Sequence, residues 1–453
     1  MDPPLQQYVI LFYKYHPLSK DPNIVDLYRS ALESLCQSLH LRGRILVGCN
    51  EHQSEGINGT LSGRYDDVQT FTEALIQNKG WIDSFQTQQQ QQHSYSSIVN
   101  QFWDDCQLFY QKAGCPPLIM KETEFKWSST TTLEDLFPDL NIKLVKEMIG
   151  TGGVLASIPL EETARGYLTP REWHQRLQQL QTGDPSSDDT VLIDCRNTKE
   201  WQIGHFPNAI DPNTTTFHQF PQWVQDHATT LANKKTILMY CTGGIRCEKA
   251  SAYIRRQIPS IKEVCHLQGG IHKYLDEFGS SDESLWLGKN FVFDGRVAAA
   301  ASNHHHHVAV EKIDGMAGNP SIVGTCTYCS DPYDSFDPRC VCTVCREPTL
   351  VCPSCQATFI EFHCRNHQLL RHCYFTDLSR FGTLDLQRQW HELQALIQEI
   401  AVGRRYKQKR KTLAKQCEKI QQRLEELKDQ DSGQPMHQID KVKKLRASEK
   451  KVL

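Results

Sequence analysis

The densest chemistry in this 453-residue chain lies in residues 235–250, KTILMYCTGGIRCEKA. Residues 237–240 are a short apolar run, the pattern of a buried strand in a parallel sheet, and the run ends at Cys241. A loop of Thr242, Gly243, Gly244, Ile245 and Arg246 follows, and a helical pattern begins around Cys247 and Glu248. Paired glycines let successive backbone N–H groups turn toward one point, a helix N-terminus adds the positive end of its dipole, and Arg246 adds a permanent charge. All three favour a thiolate or persulfide at Cys241 and lower its pKa. The bland alternative is a packing cysteine at a strand end. Packing alone does not call for Gly-Gly and Arg in the next five positions.

Cys241-x4-Arg246 closes a loop one residue shorter than the Cys-x5-Arg loop of cysteine phosphatases, so it suits a sulfur atom better than a phosphate. The loop resembles the rhodanese active site. Upstream, Asp194, Arg196, Glu200, Gly204-His205-Phe206-Pro207 and Ala209 resemble the rhodanese signature D-x-R near E and G-H-I-P-x-A, with Phe206 in place of isoleucine. The resemblance implies Cys241 and Arg246 as the catalytic pair and Asp194, Arg196 and His205 as structural residues; Cys247, directly after Arg246, could resolve an oxidised Cys241.

These residues need elements to hold them. Thr169 as N-cap and Pro170 at the first helical position start a helix, residues 191–194 and 263–267 read as buried strands, and Gly269-Gly270 turns into another helix. Alternating strands and helices predict a small doubly wound α/β sheet over residues 165–290, with Cys241 at a carboxyl end.

Residues 1–150 read differently. Strand patterns at 8–15, 44–48, 56–61 and 118–127 and helical patterns at 24–39 and 68–76 follow the order β-α-β-β-α-β, a ferredoxin-like (acylphosphatase-like) α+β sandwich. A glutamine-rich tract at 86–92 reads as a disordered insertion. Glu55-Gly56-Ile57-Asn58-Gly59-Thr60-Leu61-Ser62-Gly63 taken alone is a glycine-punctuated turn around an edge strand. With Gly43-Arg44-Ile45, the connector at 141–149 and Phe291-Val292-Phe293-Asp294-x-Arg296, it resembles the bacterial tRNA uridine(34) hydroxylases and the eukaryotic thiosulfate sulfurtransferase/rhodanese-like domain-containing proteins. That resemblance runs, with interruptions, from about residue 8 to residue 355. It implies tRNA as partner and O2 as co-substrate, and within this domain Arg44 and Asn58 are the candidates for RNA contact.

Net charge is −3, so any polyanion must be met by a local patch. The chain opens MDPPLQQY without a secretory pattern, and its 18 cysteines are expected to be reduced. No apolar run approaches the ~20 residues of a membrane span, and a cytoplasmic protein is expected. Residues 291–325 form a linker in which His304 to His307 are a polar run that cannot all face one ion.

Residues 326–375 carry four knuckles: Cys326-x2-Cys329, Cys342-x2-Cys345, Cys352-x2-Cys355 and Cys364-x2-His367. Eight ligands make two tetrahedral structural zinc sites. Cys340, His363, His372 and Cys373 are spare candidates, the pairing stays open, and Cys340 could replace Cys342. Residues 384–453 form a helical basic tail containing Arg404, Arg405, Lys407, Lys409, Arg410 and Lys411, which could be a solvated face, an RNA-backbone contact or a nuclear-import signal.

Three functions compete. The first is an enzyme resembling the tRNA uridine(34) 5-hydroxylases and acting through Cys241, with no flavin or haem motif to explain oxygen activation. The second is a sulfurtransferase taking sulfane sulfur from thiosulfate or a related small donor. The third is a zinc-finger interaction protein on a rhodanese scaffold, against which the intact Cys241 and Arg246 argue.

Overall fold

The computed structural model describes residues 6–50, 54–76, 92–131, 136–182, 189–292, 298–299, 322–343, 345, 347–359, 361–370, 378–399 and 407–431. The chain divides into two compact units, residues 1–325 with 331–335 and residues 326–330 with 336–453.

The first unit opens with β1 (Gln6–Tyr15), α1 (Pro22–Ser38), β2 (Arg42–Cys49), β3 (Ser54–Gly63), α2 (Tyr65–Ile76), α3 (Gln92–Ala113), β4 (Phe125–Thr131) and β5 (Leu140–Val145). The sheet order is β4-β1-β3-β2-β5. Its first four strands pair antiparallel as a ferredoxin-like sandwich requires, and the connector strand β5 joins the edge parallel to β2. One face buries Ile10, Phe12, Ile45, Val47, Ile57 and Phe125 against the helices. The sequence plan contained no helix between α2 and β4. The structure places α3 there, packed on α1 with Phe109 5.1 Å from the Tyr28 ring. Its polar residues at helical spacing were overlooked because the glutamine tract dominates the composition beside it; apart from Gln92 that tract lies outside the described residues.

Gly56 and Gly59 of the 55–63 segment answer to β1. Gly56 has φ +102, and a Cβ there would lie 2.0 Å from the Lys14 carbonyl oxygen. No L side chain fits that approach.

The second part of this unit contains α4 (Leu160–Thr163), β6 (Tyr167–Leu168), α5 (Pro170–Gln181), β7 (Thr190–Asp194), α6 (Thr198–Trp201), β8 (Gly204–His205), α7 (Phe220–Asp226), α8 (Ala228–Ala232), β9 (Thr236–Tyr240), α9 (Ile245–Gln257), β10 (Glu263–Leu267), α10 (Gly270–Phe278), β11 (Leu287–Gly288), β12 (Asn290–Phe291) and β13 (Ala298–Ala299). The parallel sheet runs β6-β10-β9-β7. Alternate residues feed two cores, Ile193, Ile237 and Met239 on the α7/α9 face and Leu192, Leu238 and Tyr240 on the α5/α10 face. Helices on both faces make it doubly wound. Thr169 and Glu172 close a capping box at the start of α5.

In the second unit, α11 (Pro353–Thr358) lies among the cysteine knuckles. The helices α12 (Thr383–Glu399) and α13 (Lys407–Asp431) pack together through Leu386, Leu393, Leu413, Cys417 and Ile420. Among the described residues no helix is long and apolar enough to cross a membrane.

Asp194 and Arg196 form a wholly buried pair, with Nη2–Oδ2 at 2.6 Å and a second Arg196 hydrogen bond to the Gly204 carbonyl at 2.6 Å. Removing one member strands a charge in the core. Asp194→Ala should therefore cost about 3–5 kcal/mol in urea unfolding, and Asp194→Leu with Arg196→Leu should cost less; equal loss in both would contradict the pairing.

Candidate active site and metal centres

Cys241 stands at the carboxyl end of β9 with no solvent exposure. The Gly244 N–H donates to its Sγ at 3.2 Å, and the N–H groups of Arg246 and Cys247, at the start of α9, are aimed at the same sulfur. Gly244 sustains this nest at φ +102. Burial alone would raise the Cys241 pKa. The Cys247 S–H, the Arg246 charge and the converging N–H groups outweigh it and lower the pKa to about 6. The buried Cys247 thiol is held well above its usual value by burial and by hydrogen bonds with Cys195 and Cys241. It is a proton donor to Cys241, not a second thiolate.

Arg246 does not stand over the sulfur as a free cation. Its guanidinium makes two 2.8 Å bonds to the Glu200 carboxylate and donates to the Thr242 hydroxyl at 3.0 Å, while that hydroxyl bonds Glu200 at 3.1 Å. Burial pushes the Glu200 pKa up, but Arg246 and Arg196 overcome it and hold the carboxyl at about 2. The pair thus clamps the loop from α6 to α9 and passes a residual positive field to Cys241. Glu200 belongs to the signature noted in the sequence, yet its spacing did not reveal that it grips the loop arginine. The His205 ring stacks 4.1 Å from that of Trp201, and its Nδ1 lies 2.9 Å from the Trp201 carbonyl.

The roof over the loop comes from the other sandwich. Leu11, Tyr13 and Tyr15 alternate on the β1 face opposite to Ile10 and Phe12. A Cβ on Gly243 would lie 2.9 Å from Leu11 Cδ2, and one on Gly244 2.6 Å from Tyr13 Oη. Tyr15 donates to the Ile245 carbonyl at 3.2 Å, and Tyr13 donates to Glu248 Oε1 at 2.7 Å. Lys126 of β4 lies 4.4 Å from the Tyr13 ring centroid. Beside the roof, the buried Glu55 carboxylate pairs with Lys249 of α9 and accepts the Met148 N–H at 2.7 Å. The sequence reading missed Tyr13, Lys126, Glu248, Glu55 and Lys249 as site residues. The period-2 aromatics of YVILFYKY were the available signal, since a strand with large side chains on both faces must bury both.

The RNA-binding candidates are dispersed. Asn58 is half-buried and donates to the Met148 carbonyl at 3.5 Å, while Arg44 is exposed on β2. Residues 44, 58 and 60 share the sheet face that carries Leu11 and Tyr13. In the second unit Lys407, Lys409, Arg410 and Lys411 open α13, with Arg410 half-buried and Lys411 exposed; Arg404 and Arg405 lie outside the described residues. Cations at a helix N-terminus oppose its dipole, so this run does not serve helix stability.

The knuckles assemble in crossed pairs. Cys326, Cys329, Cys352 and Cys355 form one cluster and Cys342, Cys345, Cys364 and His367 the other, the ligand atoms within 4.8 Å of one another in each. Cys329–Cys352 and Cys345–Cys364 sulfurs stand 3.6 and 3.7 Å apart, and His367 Nδ1 lies 3.2 Å from the Cys364 sulfur and 3.6 Å from that of Cys342. A tetrahedral zinc with ~2.3 Å Zn–S bonds needs sulfurs ~3.7 Å apart, so the donor sets fit a metal ion. Cys340 lies outside both clusters, as does His363, whose Nε2 bonds the Thr343 hydroxyl at 3.1 Å; His372, Cys373 and His304 to His307 lie outside the described residues.

A buried thiolate nest on a doubly wound sheet, roofed by a ferredoxin-like sandwich, defines a rhodanese-domain enzyme carrying an added N-terminal domain. Family models agree: UPF0176 acylphosphatase like domain over residues 7–148, Rhodanese-like domain over 174–277 and Rhodanase C-terminal over 287–368. The tRNA uridine(34) hydroxylase of Bartonella henselae is 34% identical over 267 residues, covering 59% of this chain and 68% of that protein. That of Onion yellows phytoplasma is 31% identical over 293 residues, covering 65% and 75%. Rhodanese-like domain-containing protein 6 of Arabidopsis thaliana is 31% identical over 372 residues, 80% of this chain, which spans about half (53%) of that protein's length. The chain belongs to the rhodanese-domain family that includes the bacterial tRNA uridine(34) hydroxylases.

Two outcomes follow. Cys241 should alkylate slowly despite its low pKa, because the roof covers it, and Lys249→Met, which breaks a buried ion pair normally worth about 3–5 kcal/mol when one partner is removed, should speed alkylation at least tenfold; an unchanged rate would mean that this pair does not hold the roof. Metal analysis should find about two ions per chain, and Cys329→Ser should lower the content below one, because the knuckles cross and disorder in one cluster spreads to the other; retention of one full ion in the second cluster would contradict that coupling.

Proposed function

We propose that the protein hydroxylates C5 of the wobble uridine of tRNA, as the names of its bacterial relatives describe for those proteins, with Cys241 as the reacting group and O2 as the oxygen source. The observation that carries this reading is the roof: the domain shared with the hydroxylases lies against the loop that makes Cys241 a thiolate. A rhodanese acting on thiosulfate or another small donor needs only the loop. A single-stranded anticodon loop must be gripped on its phosphates while one base is splayed into the site, and Arg44, exposed on the sheet face that carries the roof residues, offers a cation for that grip. Cys241 is fully buried, so base entry requires the β1 face to withdraw from the loop.

Within this reading Arg246 and Glu200 shape the loop, and Cys247 supplies or receives the Cys241 proton. The metal clusters hold zinc in a purely structural role. The basic residues at the start of α13 contact the tRNA backbone, and the site of action is the cytoplasm. Sulfur transfer is the second reading, favoured by the loop's fit to a sulfur atom, with Cys241 persulfide as its carrier.

Mass spectrometry of tRNA nucleosides from cells lacking the gene, complemented with wild type or Cys241→Ser, separates the readings. Wild type should restore 5-hydroxyuridine and its derivatives, and Cys241→Ser should lower them at least a hundredfold, in line with loss of a covalent nucleophile. Unaltered 5-hydroxyuridine together with lost wobble thiolation would favour sulfur transfer.

A further inference from the structure

The roof contains more ionisable chemistry than packing needs. Glu248 follows Cys247 in α9 and is 6% exposed. Its Oε1 accepts the Tyr13 hydroxyl at 2.7 Å, and Tyr167 of β6 also donates to it. Lys126, 3% exposed, stands over the Tyr13 ring within electrostatic reach of both Glu248 and Cys241. Tyr15 of β1, Glu55 of β3, Glu124 beside β4, Arg255 of α9 and Lys273 of α10 also act electrostatically on members of this cluster. Two phenols, an ammonium and a carboxyl, drawn from both domains, therefore converge beside a thiolate.

We propose that Glu248 is the proton donor that works opposite the Cys241 thiolate, and that Tyr13 and Lys126 of the N-terminal domain are the residues that position and tune it. This rests on the reading of uridine as substrate. Uracil is a conjugated enone: when the Cys241 sulfur forms a bond to C6, the C5–C6 π pair moves toward C4 and its oxygen becomes an enolate. The proton of the Glu248 carboxyl passes to that oxygen. The S–C6, C4–C5 π and O–H bonds form, the C5–C6 π, C4–O π and Glu248 O–H bonds break, and no electrons leave or enter. The product is a C5 rich in electrons, the position an electrophilic oxygen attacks. The carboxylate left behind is held by Tyr13, Tyr167 and Lys126.

The protonation states match these roles. Burial raises the Glu248 pKa to about 7 against the lowering effects of Tyr13, Tyr167 and Lys126, so near neutrality Cys241 is ionised while a large share of Glu248 still carries its proton. Two acidic groups whose environments push their pKa values to opposite sides of their usual order are the pattern of a nucleophile and its acid. A packing role explains neither the carboxyl nor the ammonium: an apolar pair would fill the same space without the desolvation cost.

The test has two parts, one independent of substrate. In infrared difference spectra of wild type minus Glu248→Gln, a protonated carboxyl band should persist to neutral pH and vanish as the pH rises through about 7; a carboxylate already ionised at pH 5 would overturn the proposal, whatever the substrate. In the second part, tRNA hydroxylation should rise with Cys241 ionisation and fall as Glu248 loses its proton. Glu248→Gln should lower the rate at least a hundredfold and remove the falling limb, as expected for loss of a general acid, with the thiolate ultraviolet absorbance of Cys241 still titrating as in wild type. Tyr13→Phe and Lys126→Met each delete an interaction that lowers the Glu248 pKa, so both should move the falling limb and the infrared transition to higher pH together. A falling limb unmoved in all three variants would overturn the proposal. If wild type hydroxylates no tRNA while the infrared transition is present, the uridine reading fails and the acid stands, its limb then sought in sulfur transfer to cyanide.

Discussion

The site depends on one constraint: an anionic sulfur has been taken out of water. A thiolate in a dry pocket is costly unless fixed donors replace its hydration. Here the donors are the Gly244, Arg246 and Cys247 N–H groups and the Cys247 thiol. Those donors exist because β9 ends where α9 begins, with Gly244 in a left-handed turn between them. The Glu200–Arg246 clamp keeps the turn in place, and the Asp194–Arg196 pair anchors the strand end from which α6 departs. Arg196 also acts electrostatically on Glu200, so the two ion pairs support the same loop.

The same constraint accounts for the N-terminal domain. A bare rhodanese loop opens to solvent, where its donors would be shared with water. Leu11, Tyr13 and Tyr15 close that opening, and their contacts reach backbone at Gly243, Gly244 and Ile245. A substituent at Gly243 or Gly244 would meet the roof directly, so the paired glycines serve two ends at once, the nest below and close approach above. The buried Glu55–Lys249 pair ties the 55–63 segment to α9.

How much of this was legible in the sequence follows from which patterns are local. The Cys241 loop, the Thr169 cap and the strand order of the sandwich are present in the structure, and the eight Cys and His of the four knuckles come together in two clusters able to hold a metal ion. Pairings between distant segments were not legible. Tyr13 meets Glu248 across 235 positions and Glu55 meets Lys249 across 194, and no spacing rule reports such contacts. The crossed ligand pairing had the same cause, since knuckle spacing specifies pairs of ligands and leaves open which pairs share an ion. Arg246 was expected to face the sulfur because its partner Glu200 lies in a different element. Helix α3 was lost to composition: a polar helix beside a glutamine tract offers too weak an apolar stripe to stand out.

The central claim is that the Cys241 thiolate attacks the wobble base beneath the N-terminal domain. The most direct measurement is covalent capture on tRNA bearing 5-fluorouridine at the wobble position, where fluorine cannot leave C5 as a proton does and an adduct must accumulate. The account predicts a denaturation-resistant protein–tRNA species, cross-linked through Cys241 by peptide mass spectrometry, absent from Cys241→Ser and retained in Cys247→Ser. Hydroxylation of normal tRNA by a protein that forms no such adduct, or an adduct at a different residue, would contradict it.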